Sequence, residues 1–200
     1  MRRTNEQPCK RERLNHRTMA KPIIPAEFLH DEAVHLTPIG VDDLELMRTW
    51  RNRDEIRIWF NDGRLIEAQQ QQAWYRAYLE NPADLMFVVR RTADAKPVGT
   101  IALYRIDLEA KRAEVGRLII AEGRGEGLGY ATLLRACRAA FEGLGIETLE
   151  SEVKSANVAA LRINEAVGFR RRPGAEEEPI KMQLSPNFII PRCEVKPDRA

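Results

Sequence analysis

Histidine and cysteine are scarce in this chain, with three of each in 200 residues, and aromatic side chains make up only 6%. Cys9, Cys137 and Cys193 are odd in number, far apart, and form no C-x-x-C pair. That spacing speaks against a disulfide framework and against a zinc site, so no metal is expected. No apolar run approaches the roughly 18 residues needed to span a bilayer. The N-terminus is basic but has neither the apolar stretch nor the cleavage site of a secretory signal. The reading is a reduced, cytoplasmic protein with no membrane partner.

With 44% hydrophobic and 31% charged residues, the composition is that of an ordinary globular protein. The net charge of +2 conceals an asymmetry, because residues 1–22 hold seven Lys/Arg against two Asp/Glu. Such an arm can touch nucleic acid, but it has few apolar residues and no periodicity, and simple disorder explains it better. The expected organisation is a basic arm over 1–34, a folded domain over 35–185 and a tail over 186–200. Met19 is an alternative start.

Periodicity first appears near His35, with a short extended run to Ile39. Leu44, Met47 and Trp50 then recur three apart on one helical face, and Ile66 to Glu80 reads as a second helix. From Leu85 the period changes. Leu85–Val89, Pro97–Ile106 and Ala113–Ile120 are apolar or alternating runs joined by short polar links, which predicts an antiparallel meander. The clearest helix follows, with Leu128, Ala131, Leu134, Cys137, Ala140, Phe141 and Leu144 on one stripe and Gly145 as its cap. Cys137 is therefore a buried core thiol. Thr148–Val153 is a strand, Ala159–Val167 a helix ended by Gly168, and strands follow from Phe169 and over Ile180–Leu184. The predicted class is α/β (α+β): a single domain whose mixed, mainly antiparallel sheet has about six to seven strands, with about four helices.

The chemically richest stretch is the strand, glycine loop and helix between Glu114 and Leu134. Glycines at 123, 125, 127 and 129 permit backbone conformations closed to other residues. Bare amides at a helix N-terminus make a pyrophosphate site, and Arg124 adds a cation. A P-loop needs Lys-Ser/Thr after its last glycine, whereas Gly129 is followed by Tyr130. A dinucleotide fold needs its glycines after the first strand, whereas this loop comes late. What remains is the pattern Arg/Gln-x-x-Gly-x-Gly/Ala, matched by Arg124-Gly125-Glu126-Gly127-Leu128-Gly129.

Here the chain resembles the GNAT superfamily of acetyltransferases, from about residue 35 to about 185. Ala113–Ile120 is similar to the family's fourth strand, and Asn157-Val158-Ala159-Ala160 with Gly168-Phe169 to its Asn-x-x-Ala…Gly-Phe ending. The resemblance implies acetyl-CoA as cosubstrate, with its pyrophosphate held by Arg124, Gly125, Gly127, Leu128, Gly129 and Tyr130. It implies a V-shaped splay between the fourth and fifth strands, in which Leu118, Ile119 and Ile120 pair with pantetheine. Asn157 and Asn164 complete the implied coenzyme contacts. A backbone N–H on the thioester carbonyl would stabilise the developing oxyanion.

The amine must attack as the neutral base, so a carboxylate is wanted nearby. Glu152, five residues before Asn157, matches the base of ribosomal-protein N-terminal acetyltransferases, and Glu114 matches that of other branches. Asn164 departs from the pattern: many relatives have there a tyrosine that protonates the leaving thiolate, and an amide cannot do so near neutral pH. Tyr104 and Tyr130 are the available substitutes.

Trp50-Arg51-Asn52, Arg57 and Trp59 match the substrate region of the branch containing ribosomal-protein and nucleotide-linked amino-sugar N-acetyltransferases. Paired arginines and aromatics suit a sugar nucleotide, although Trp50 also reads as core. The expected partner is a small-molecule or peptide amine, nucleic acid is not expected, and a homodimer is compatible with the reading. The rival from another class is a non-catalytic acyl-CoA-binding module, which keeps the glycine loop and needs no carboxylate.

Overall fold

A computed structural model of the chain describes residues 20–172 and 178–188. The strands are β1 (Val34–Pro38), β2 (Asp84–Arg91), β3 (Pro97–Asp107), β4 (Arg112–Ile120), β5 (Thr148–Val153), β6 (Arg170–Arg171) and β7 (Ile180–Leu184). The helices are α1 (Leu44–Arg51), α2 (Asp54–Arg57), α3 (Ala68–Glu80), α4 (Leu128–Arg138) and α5 (Val158–Val167). All seven strands join one sheet in the order β1-β2-β3-β4-β5-β7-β6. Its pairs are antiparallel except β4 with β5, which run parallel because α4 carries the chain across the sheet between them. The α/β class and the mixed sheet agree with the sequence reading. The four-residue helix α2 is an addition to it.

Strand β2 is apolar without alternation because both of its faces are covered. Leu85, Phe87 and Val89 enter the larger core beneath α4, and Met86 and Val88 enter a smaller one beneath α1 and α3. Trp50, Ile56, Ile119 and Ala121 form a third cluster between α1 and the end of β4. Cys137 lies wholly buried in α4, where burial pushes its thiol pKa far up and leaves it inert.

Two boundaries differ from expectation. Helix α4 does not end at a simple glycine cap: it widens into a π turn over Ala139–Gly143, and left-handed Gly145 comes two residues later. The domain also begins before residue 35. Ile24 and Leu29 are buried in the main core, and Asp31 pairs with the buried Arg135 of α4 at 3.2 Å. Lys21 lies over the Tyr78 ring at 3.8 Å and donates to the carbonyl of Asn81. These anchors are single residues without a period, so the sequence reading assigned 20–34 to the arm. Residues 1–19, including Cys9, and residues 189–200, including Cys193, lie outside the described residues.

Candidate active site

The parallel pairing of β4 with β5 joins Arg112↔Thr148, Ala113↔Leu149 and Glu114↔Glu150, and ends there. Strand β4 runs on to Ile120, and β5 continues to Val153 paired only on its other edge, with β7. The cause lies on the opposite edge of β4. Thr100 pairs with Ile119 but Ala102 with Gly116, so β4 spends an extra residue in a bulge, and Arg117 there has φ +52°. Bulges bend and twist the strand that carries them. A side chain is impossible at Gly99, where a Cβ would lie 1.9 Å from the carbonyl oxygen of Ile119. The bent strand opens the V-shaped slot beyond Glu114.

The glycine loop leads from the end of β4 into α4. Gly123, Gly125 and Gly127 have φ of +69°, +90° and +75°, the left-handed region that disfavours other residues. The first turn of α4, at Leu128, Gly129 and Tyr130, presents N–H groups that a helix cannot satisfy internally. A Cβ on Gly129 would meet Ile163 Cδ1 at 2.9 Å, so this glycine brings α5 against α4. Arg124 is exposed, with Glu55 at 3.8 Å, and Glu126 turns away to Arg91 at 2.9 Å. Leu118 and Ile120 pack toward the main core and Ile119 toward the other face. The residues expected to hold a pyrophosphate and a pantetheine arm thus share one rim of the slot.

The two asparagines expected among the coenzyme contacts both make hydrogen bonds within α5. Asn157 is the N-cap of α5, its side-chain oxygen accepting the N–H of Ala160 at 3.1 Å. Asn164, expected among the coenzyme contacts, is only 5% exposed and donates to the carbonyl of Ala160. Its Oδ1 has no partner among the described residues. Asn164 belongs to the packing of α5, not to an open surface.

Both candidate bases flank the slot. Glu114 is 7% exposed, and the guanidinium of Arg105 donates to its carboxylate. Glu152 is exposed on β5, beyond the last β4–β5 pair, and has no salt bridge among the described residues. Tyr104, opposite Glu114 on β3, has its pKa pushed up to about 12 by burial first and the charge of Glu114 second. Glu152 adds a smaller part of that rise. Tyr104 is therefore protonated at neutral pH, with the Glu114 side chain as a hydrogen-bond partner.

On the far side of β4 lies a cavity of about 440 Å³, the size of a small-molecule site. Its floor is Met86, Thr100, Arg117 and Ile119 of the sheet, and its sides are Met47 and Arg51 of α1 and Gln70, Gln71 and Trp74 of α3. The remaining wall is the irregular segment after α2, from Phe60 to Ile66. Side chains from elsewhere hold that segment by its backbone. Asn52 both donates to and accepts from Ile66, at 2.9 and 2.8 Å. Arg51 donates to Asp62 O and Arg57 to Gly63 O, each at 2.6 Å, and Lys154 donates to Ile58 O and Phe60 O. Deeper in, Arg117 pairs with Asp84 at 2.8 Å and lies over the Tyr104 ring.

Among the residues expected to bind substrate, only Arg51 lines the cavity. Trp50 is 2% exposed in the cluster behind it, so the packing alternative was the right one. Asn52 and Arg57 shape the wall through its carbonyls, and Trp59, 38% exposed, is outside the lining. Sequence reasoning missed Lys154, Gln70, Gln71, Trp74 and Arg117. No local pattern marks a lone lysine that reaches back across about 95 residues of chain to two carbonyls.

The model of the acetyltransferase (GNAT) domain matches residues 34–170, and the chain belongs to that family. It is an acyl-CoA-dependent N-acetyltransferase, acting on an amine. Among curated proteins none matches it in sequence. Among solved structures it is similar to the spermidine N-acetyltransferase of Vibrio cholerae in complex with CoA and spermine. That likeness has a TM-score of 0.71 and 21% identity, over 79% of this chain and 98% of the other. It is also similar to apo FdhC, a nucleotide-linked sugar GNAT, at TM-score 0.69 and 22% identity, over 80% and 90%. AAC(6')-Ib in complex with ribostamycin and coenzyme A gives 0.66 and 17%, over 78% and 95%. At such identities the likeness speaks to the fold. No described helix is long and apolar enough to cross a membrane.

Proposed function

We propose that this protein transfers the acetyl group of acetyl-CoA to the primary amine of a small molecule, with a nucleotide-linked amino sugar as the first candidate. The observation that carries the reading is the slot itself. Beyond Glu114 the β4 backbone leaves β5, with a glycine-rich helix start on one side and a walled cavity on the other. Two substrates entering from opposite faces meet there, and their joint confinement replaces a bimolecular encounter.

In this reading the loop at Arg124–Gly129 takes the pyrophosphate and the edge at Leu118–Ile120 takes pantetheine. The amine nitrogen attacks the thioester carbonyl, the C–S bond breaks, and the nitrogen loses one proton while the thiolate gains one. Glu152 is the base, because it is exposed in the opened part of the slot, whereas Glu114 already accepts from Arg105. Tyr104 and solvent are the two sources of the proton returned to sulfur. The alternatives are an N-terminal acetyltransferase of the ribosomal-protein kind and a non-catalytic acyl-CoA-binding module. An amine panel with thiol detection of released CoA separates all three: amino-sugar nucleotides are expected to release CoA, peptides to be poor, and silence with every amine would overturn the enzyme reading.

A further inference from the structure

Arg51 occupies an unusual position in the cavity wall. Its guanidinium carbon lies over the Phe60 ring, 3.6 Å from the centroid, and its Nη2 donates to the carbonyl of Asp62. Its Nη1 is buried with no hydrogen-bond partner among the described residues. A guanidinium carries five N–H donors, and one left unpaired away from water costs more than an ordinary lost hydrogen bond. Burial accordingly lowers the Arg51 pKa, with Asp62 opposing and Arg57 adding to the fall.

The other charges of the wall are already matched. Arg64 is chelated by the Asp62 carboxylate at 2.8 Å, and Arg117 is bound by both oxygens of Asp84. Arg51 receives only a backbone carbonyl, so the lining keeps one uncompensated positive charge beside the flat face of Phe60. A polycationic amine would have to approach that charge unaided. An amine bearing its own anion would supply what Arg51 lacks.

We infer that the cavity selects a primary amine that carries an anionic group, carboxylate or phosphate, and that Arg51 recognises that group. This rests on the acetyltransferase reading above and adds to it a charge class for the acceptor and the residue that reads it. The geometry also separates two duties of Arg51, since Nη2 holds the loop and Nη1 faces no protein acceptor.

The test uses matched amines with acetyl-CoA: glucosamine against glucosamine 6-phosphate, and an amino acid against its decarboxylated amine, with spermidine as the polycation. Each anionic member is expected to exceed its neutral or cationic counterpart in kcat/KM by about 10- to 100-fold, the worth of a charged hydrogen bond. A phosphate preference without a carboxylate preference identifies the anion, and the reverse result does likewise. Arg51→Gln is expected to shrink the anionic-to-neutral ratio at least about tenfold, and Arg51→Lys to restore part of it. The ratio is unaffected by any general loosening of the loop, which would lower both rates together. Spermidine equal to the anionic amines, or an unchanged ratio in Arg51→Gln, overturns the inference. Calorimetry of glucosamine 6-phosphate on the CoA-bound protein reads the same site without turnover. Binding that Arg51→Gln abolishes upholds the anion site even where no amine is acetylated, an outcome that would sink the transferase reading alone.

Discussion

The two sides of β4 are built on different principles. On the side proposed for the coenzyme, one continuous stretch from Leu118 to Leu134 supplies a strand edge, three left-handed glycines and a helix start. On the acceptor side the wall from Phe60 to Ile66 has no regular structure, and Asn52, Arg51, Arg57 and Lys154 hold it by its carbonyls. The first side is local and written in backbone conformation. The second is assembled from side chains of α1, α2, the turn between them and the residue after β5, so it can change without disturbing the glycine loop.

Perturbing one side at a time tests this independence. The largest effect is expected on the coenzyme side, from Gly127→Asp. It places a side chain at φ +75°, at a cost of about 1–2 kcal/mol, and sets a carboxylate against the pyrophosphate. CoA binding is expected to fall below calorimetric detection while the circular dichroism stays folded; wild-type affinity would remove the loop from the coenzyme site.

Glu152→Gln comes next, at the junction of the two sides. Turnover near pH 7 is expected to fall by roughly 10² to 10⁴, with CoA affinity unchanged. Raising the pH recovers part of the loss, because more of the amine is then neutral without help. Collapse in Glu114→Gln with Glu152→Gln near normal would move the base onto β4. A lowered melting temperature with no recovery at high pH would reduce Glu152 to a structural charge.

A smaller effect is expected from Asn52→Ala, which removes both bonds to Ile66, each worth about 1 kcal/mol. The amine KM is expected to rise about tenfold in steady-state assays, with calorimetric CoA affinity intact. An equal loss of CoA affinity would show that the two sides are coupled. Removal of residues 1–18 is expected to do least, leaving melting temperature and turnover near their full-length values. A large loss on a small amine would give the arm a part in the site.

Much of the fold was legible because periods of 2 and 3.6 report which face is buried. The meander β2–β4, the α4 stripe and the Gly168 ending all follow from that. The glycine loop was legible for a related reason, since left-handed conformations and bare amides are properties of glycine itself. The sequence by itself therefore determined the glycine loop, the helix it opens and the order of the strands. Tertiary structure alone decided the rest: that residues 20–34 are part of the domain, that Asn52 and Arg57 are spent on backbone carbonyls, and that Arg51 is left with an unpaired donor among the described residues. The physical reason is that a hydrogen bond between distant residues leaves no period and no local conformational demand. Its partner is known only once the chain has brought the two together.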